Sequence, residues 1–67
     1  MDRVTLAMLI KCAERELGLR QAVYPRKIAE GKLSLKTAQH ELTCMRKIVE
    51  LLKETEAKHA RKLGLSA

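Results

Sequence analysis

Apolar residues in the second half of the chain recur at Leu35, Ala38, Leu42, Met45, Val49 and Leu52, with spacings that alternate between three and four. That alternation is the seam of a packed helix, and Ile48 widens the stripe on one side. Ser34 stands just before the run, where its hydroxyl can accept from an orphan amide of the first turn. Arg61-Lys62-Leu63 followed by Gly64 reads as a cationic last turn and a C-terminal glycine. The pattern predicts a helix over 35–63. Its last turns are poorly supported by the seam, which continues through Glu56 and His59.

The first half carries a broader apolar face. Leu6, Ile10, Ala13, Leu17 and Tyr24 share one stripe, with Leu9, Cys12, Leu19 and Val23 beside it. Lys11, Glu14, Arg15, Gly18 and Gln21 form the wet face, and Asp2 suits an N-cap or first-turn anion. This predicts a helix over 3–24. An apolar arc this wide exceeds what one partner helix covers, so a second hairpin is the simplest cover. Glu16 and Arg20 interrupt the arc four residues apart, acid first. They read as a partly exposed ion pair at the edge of the stripe, or as an interfacial pair that fixes the register of a dimer.

Between the two patterns lies Val23-Tyr24-Pro25-Arg26-Lys27, closing at Gly31. It holds the single proline and the single aromatic residue of the chain. Proline lacks an amide donor and disfavours helix for the residue before it. Either the first helix stops at Tyr24 and Pro25 opens a short turn, or one helix runs through with a kink. A kink or turn over 25–34 and two long flanking helices predict an antiparallel hairpin. The fold class is therefore all-α, with the hairpin dimerising into a four-helix, coiled-coil-like bundle. Leu6, Ile10, Ala13, Leu17, Leu35, Ala38, Leu42, Met45, Val49 and Leu52 form its core and dimer seam.

Composition strengthens the case for association. At 67 residues the chain is near the lower limit for independent stability. Cys12 and Cys44 are too few for a disulfide framework and read as small apolar residues in a reducing compartment. Self-association is then the remaining staple. The run Val4–Ile10 is too short for a membrane span and lacks a cleavage site, so the expected location is the cytoplasm, with no membrane partner. Fourteen Lys and Arg against eight Asp and Glu give a net charge of +6, which favours anionic partners. The signs are interspersed, so no segment reads as a nucleic-acid arm.

No catalytic signature is present, and an enzyme and a cofactor are not expected. Gly18, Gly31 and Gly64 are isolated and form no phosphate loop. His40 and Cys44 have a permitted metal-ligand spacing, but two ligands do not make a site. Glu54 and Lys58 have the spacing of a surface pair. Met8 and Met45 read as core filler. The feature with most to offer is the cationic cluster of Arg20, Arg26, Lys27, Lys32 and Lys36 near the turn, opposed only by Glu30. Tyr24 beside it can anchor a protein interface, stack on a base, or pack across the turn.

The stretch Cys12-Ala13-x-Arg15-Glu16-Leu17-x-Leu19-Arg20, then Val23-Tyr24-Pro25-Arg26, Gly31, Ala38, Glu41 and Met45-x-x-Ile48, resembles small proteins encoded by phages and prophages of proteobacteria. The likeness covers roughly Cys12 to Leu52, and its most specific part is Val-Tyr-Pro-Arg. Many of those proteins have tryptophan where this chain has Lys27. The resemblance implies a helical hairpin and a phage setting. In that setting small accessory proteins often bind and inhibit a host protein. The expected function is a non-enzymatic homodimer that docks on a host protein through Tyr24, Arg26 and Lys27, with Arg20 and Lys32 behind them. The alternatives are a basic nucleic-acid-binding factor in phage replication or recombination, and a structural assembly module.

Overall fold

The computed structural model describes residues 3–62. Two helices make up the fold: α1 over Leu6–Ala29 and α2 over Leu35–Lys62. A link of five residues joins them, so they return alongside one another. The Lys53 ammonium meets the Glu14 carboxylate at 2.8 Å across the pair. That contact fixes an antiparallel register, because residues equally far from the turn face each other.

The start of α1 differs from the expectation. Arg3, Val4 and Thr5 are not helical, and Thr5 is the N-cap. Its Oγ1 accepts from the Met8 amide at 3.2 Å, while Met8 Sδ accepts from the Thr5 amide at 3.5 Å. This is a capping box with a thioether in the place usually held by Glu or Gln, and sulfur is a weak acceptor. The missing carboxylate hid the box from the sequence reading. Asp2 lies outside the described residues.

The end of α1 is the larger correction. The helix passes through Pro25 and continues to Ala29, so the second of the two alternatives holds and the turn shrinks to 30–34. Proline at this point forfeits one backbone bond, from its own nitrogen to the carbonyl of exposed Gln21, where water can replace it. Continuing the helix half-buries Ile28 and brings α1 to a well-satisfied end. There the Gly31 amide donates to the Ile28 carbonyl at 3.0 Å and the Lys32 amide to the Lys27 carbonyl at 2.9 Å. Those two bonds are a Schellman motif, and it needs the left-handed φ of +72° that Gly31 supplies.

Helix α2 begins as the sequence predicts. Ser34 Oγ accepts from the Thr37 amide at 3.1 Å and donates to Thr37 Oγ1 at 2.8 Å. Leu63 and Gly64, assigned to its end, lie outside the described residues. Among those described, no helix is long and apolar enough to cross a membrane.

The seam packs α1 against α2 within one chain. Ile10, Ala38 and Val49 are buried, with 7 %, 2 % and 8 % of their surface exposed. Leu6, Ala13, Leu17, Leu42, Met45 and Leu52 are only half-buried. Leu35 departs from the expected core: it is the first residue of α2, at the rim of the turn, and is 58 % exposed. Two thin lines of side chains make up the whole interior.

The glycines offer a paired test. A Cβ at either Gly18 or Gly31 meets nothing within 4 Å, so packing is neutral at both. Gly18 is mid-helix, and Gly18→Ala should stabilise by about 0.5–1 kcal/mol. Gly31→Ala forces an L side chain into left-handed space and should cost about 1–2 kcal/mol. Thermal melts at one protein concentration should move in opposite directions, by roughly 4–8 °C per kcal/mol.

Candidate partner-binding surface

The turn end of the hairpin gathers the residues singled out from the sequence, but it divides them into two groups. Arg20, Tyr24 and Lys27 recur along one face of α1 and line a shallow cleft of about 300 Å³ with Glu16, Leu19 and Val23. Arg26 does not line it; one residue before Lys27, it lies about 100° round the helix. Lys32 belongs to the turn and reaches Glu30 at 3.6 Å.

Arg20 is committed to its own helix. Its Nη1 donates to Glu16 Oε1 at 2.8 Å and to the Glu16 carbonyl at 3.1 Å. The hydrogen bond from Arg20 to Glu16 is the main cause that raises the guanidinium above its ordinary pKa; the Tyr24 phenol adds less. The pair is partly exposed in the protomer, at 33 % and 42 %. Screening by water keeps such a pair weak, so its effect is to hold the Arg20 head in place beside the ring.

Tyr24 is half-buried, with its helical position on the stripe that faces α2. Packing therefore explains much of the ring. Arg26 and Lys27 stand in the last turn of α1, where cations complement the helix dipole, so architecture explains part of their charge too. It does not explain Lys36. That cation sits in the first turn of α2, which has no acidic residue to offset it and where positive charge is unfavourable. Arg26, Lys27 and Lys36 have no carboxylate within ion-pair distance among the described residues.

Sequence reasoning missed a second cleft on the opposite side of the hairpin. It has a volume of about 510 Å³ and an apolar floor of Leu17, Val49 and Ala57, rimmed by Arg46, Glu50, Lys53 and Glu54. The Glu14–Lys53 bridge lies near it. Glu14 was placed on a wet face, and nothing in its spacing along α1 points to a partner on α2. The neighbouring Lys47–Glu50 pair closes at 3.1 Å and raises the Lys47 pKa through its hydrogen bond. The described ion pairs of α2 are these two, not Glu54–Lys58.

His40 Nε2 and Cys44 Sγ approach to 3.6 Å on the exposed side of α2. Cys44 and Cys12 are both exposed. No third His, Cys, Asp or Glu completes a metal-binding group among the described residues.

These features define a two-helix, all-α protein with a cationic turn. No family model, curated protein or solved structure matches the chain.

The two roles of Tyr24 separate experimentally. Tyr24→Ala should lower stability by about 1–3 kcal/mol, as loss of a partly buried aromatic does. Tyr24→Phe should stay within about 0.5 kcal/mol. Urea unfolding monitored by circular dichroism measures both.

Proposed function

We propose that this chain is a non-enzymatic binding protein that works as a homodimeric four-helix bundle. Its cationic turn end docks on an acidic surface of a host protein, which it blocks or redirects. The observation that carries the proposal is the imbalance of the surface. Val4, Met8, Leu9, Leu19, Leu35, Ile48 and Leu51 are all more than two-fifths exposed, while only Ile10, Ala38 and Val49 are buried among the described residues. A surface of that kind is suited to protein contact. The unpaired charge of Arg26, Lys27 and Lys36 at one end supplies orientation and an encounter rate. The phage setting implied by the Val-Tyr-Pro-Arg resemblance makes the target a host protein.

Arg26 and Lys27 form the cationic rim, with Lys32 and Lys36 across the turn. Arg20 and Tyr24 shape the cleft behind them. Nucleic acid is the second reading, favoured by the net charge of +6. It lacks a stacking platform, because the single aromatic ring is half-buried.

The test is charge reversal. A tagged chain incubated with host lysate should retain a specific protein, and Arg26→Glu with Lys27→Glu should reduce that retention by roughly tenfold. Equal retention by both proteins sinks the docking role of the turn. Retention of oligonucleotides that falls steeply with rising salt would transfer the role to nucleic acid.

A further inference from the structure

The hairpin is a single layer of helices. Its extents are 50 × 26 × 14 Å, so its thinnest dimension is little more than one helix diameter. Stable domains need a second layer against the first. The accessible surface tells the same story. The chain exposes 5516 Å², whereas a folded monomer of 7.6 kDa exposes about 4,300 Å². The excess exceeds the roughly 800 Å² per partner that a standard interface covers.

Among the described residues, four of the seven large exposed apolar ones, Leu9, Leu19, Ile48 and Leu51, lie towards one broad side. On α1, Leu9 and Val23 are displaced by roughly a quarter to a third of a turn from the inward line of Ile10 and Leu17, and Leu19 lies beyond them at nearly half a turn, on the rim of the same cleft as Val23. On α2, Ile48 and Cys44 are displaced by a similar amount, in the same rotational sense, from Ala38 and Val49, with Leu51 further round towards the outer edge. Equal rotation about two antiparallel axes brings both flanks to the same side of the pair. The Glu14–Lys53 contact sets the level: counting five residues on and five back places Leu19 beside Ile48 near mid-hairpin. The opposite side carries Glu14, Arg46, Glu50, Lys53 and Glu54.

We infer that this side, centred on Leu9, Val23 and Ile48 and edged by Leu19 and Leu51, is the dimer interface, and that its occupant is a second copy of the chain. The inward seam is already consumed within one protomer, so it cannot serve between protomers. Three buried side chains are too small a core to hold one hairpin closed. The cover must therefore be present whenever the chain is folded, at equal stoichiometry, and a second copy meets both conditions. Two such sides related by a two-fold axis form a self-complementary contact and complete a four-helix bundle. The cleft lined by Leu19 and Val23 with Glu16, Arg20, Tyr24 and Lys27 opens on the same side at the turn end. Cys44, exposed in the protomer, lies on the same side and becomes covered.

This deepens the dimeric half of the proposed function and is separable from docking. Ile48 and Leu51 are in the middle of α2, away from Arg26 and Lys27, so failure here leaves the charge-reversal result standing. Sedimentation equilibrium of the full chain at about 10 µM should give twice the 7.6 kDa protomer mass. Ile48→Asp with Leu51→Asp should abolish the dimer, while Glu54→Lys on the opposite side should leave it intact. Because the double variant risks unfolding, the wild type supplies an independent readout. Maleimide labelling of Cys44, followed by peptide mass, should slow by roughly tenfold or more as protein concentration rises through the dimer range. A folded monomer at that concentration, a dimer that survives both aspartates, or labelling that is fast at every concentration would overturn the assignment.

Discussion

Burial is the scarce quantity in this protein. Ile10, Ala38 and Val49 are the residues that α1 and α2 remove from water between them, and each is of modest size. A fully buried side chain of that kind contributes about 1.5–3 kcal/mol. Ordering each residue of the chain costs about 1–2 kcal/mol in backbone entropy. Local devices narrow the gap without closing it: a capping box at Thr5, a serine cap at Ser34 and a Schellman motif at Gly31 each satisfy backbone groups that would otherwise need water. The exposed flank of Leu9, Leu19, Ile48 and Leu51 is the reserve from which further burial can be drawn.

That constraint also orders the functional reading. A hairpin whose stability depends on covering one side has its other surfaces free for function, and the turn end gathers three cations, Arg26, Lys27 and Lys36, that form no ion pair among the described residues. Arg20 and Tyr24 illustrate how structure and function share residues here. The guanidinium is held by Glu16, the ring packs at the edge of the seam, and both shape the cleft behind the cationic rim. Arg26, Lys27 and Lys36 are left as the charges that project from the end of the hairpin.

Much of the fold was legible because helical periodicity depends on simple spacing. The alternation from Leu35 to Leu52 located α2, and Ser34 marked its start to the residue. The readings that failed did so where tertiary context overrides local preference. Pro25 forfeits one exposed bond, and packing of Ile28 with the glycine-ended turn outweighs it, so α1 runs five residues further. Thr5 caps α1 through a methionine sulfur, a combination that no carboxylate pattern announces. Leu35 obeys the seam spacing yet sits at the rim, because a period specifies a face and not how deep along it a neighbour reaches. The site was less legible than the fold. Charge and the lone ring pointed to the turn, but the split between Arg26 and the cleft residues, and the bridge from Glu14 to Lys53, required the two helices to be placed together.

The central claim is that folding and association are one event. The most direct measurement is the thermal midpoint of the wild-type chain across a hundredfold range of protein concentration, followed by circular dichroism. Mass action predicts a midpoint that climbs steadily with concentration, with helicity lost on dilution at fixed temperature. A midpoint independent of concentration, with full helicity retained at the lowest one, would show that the single hairpin stands alone and would contradict the account.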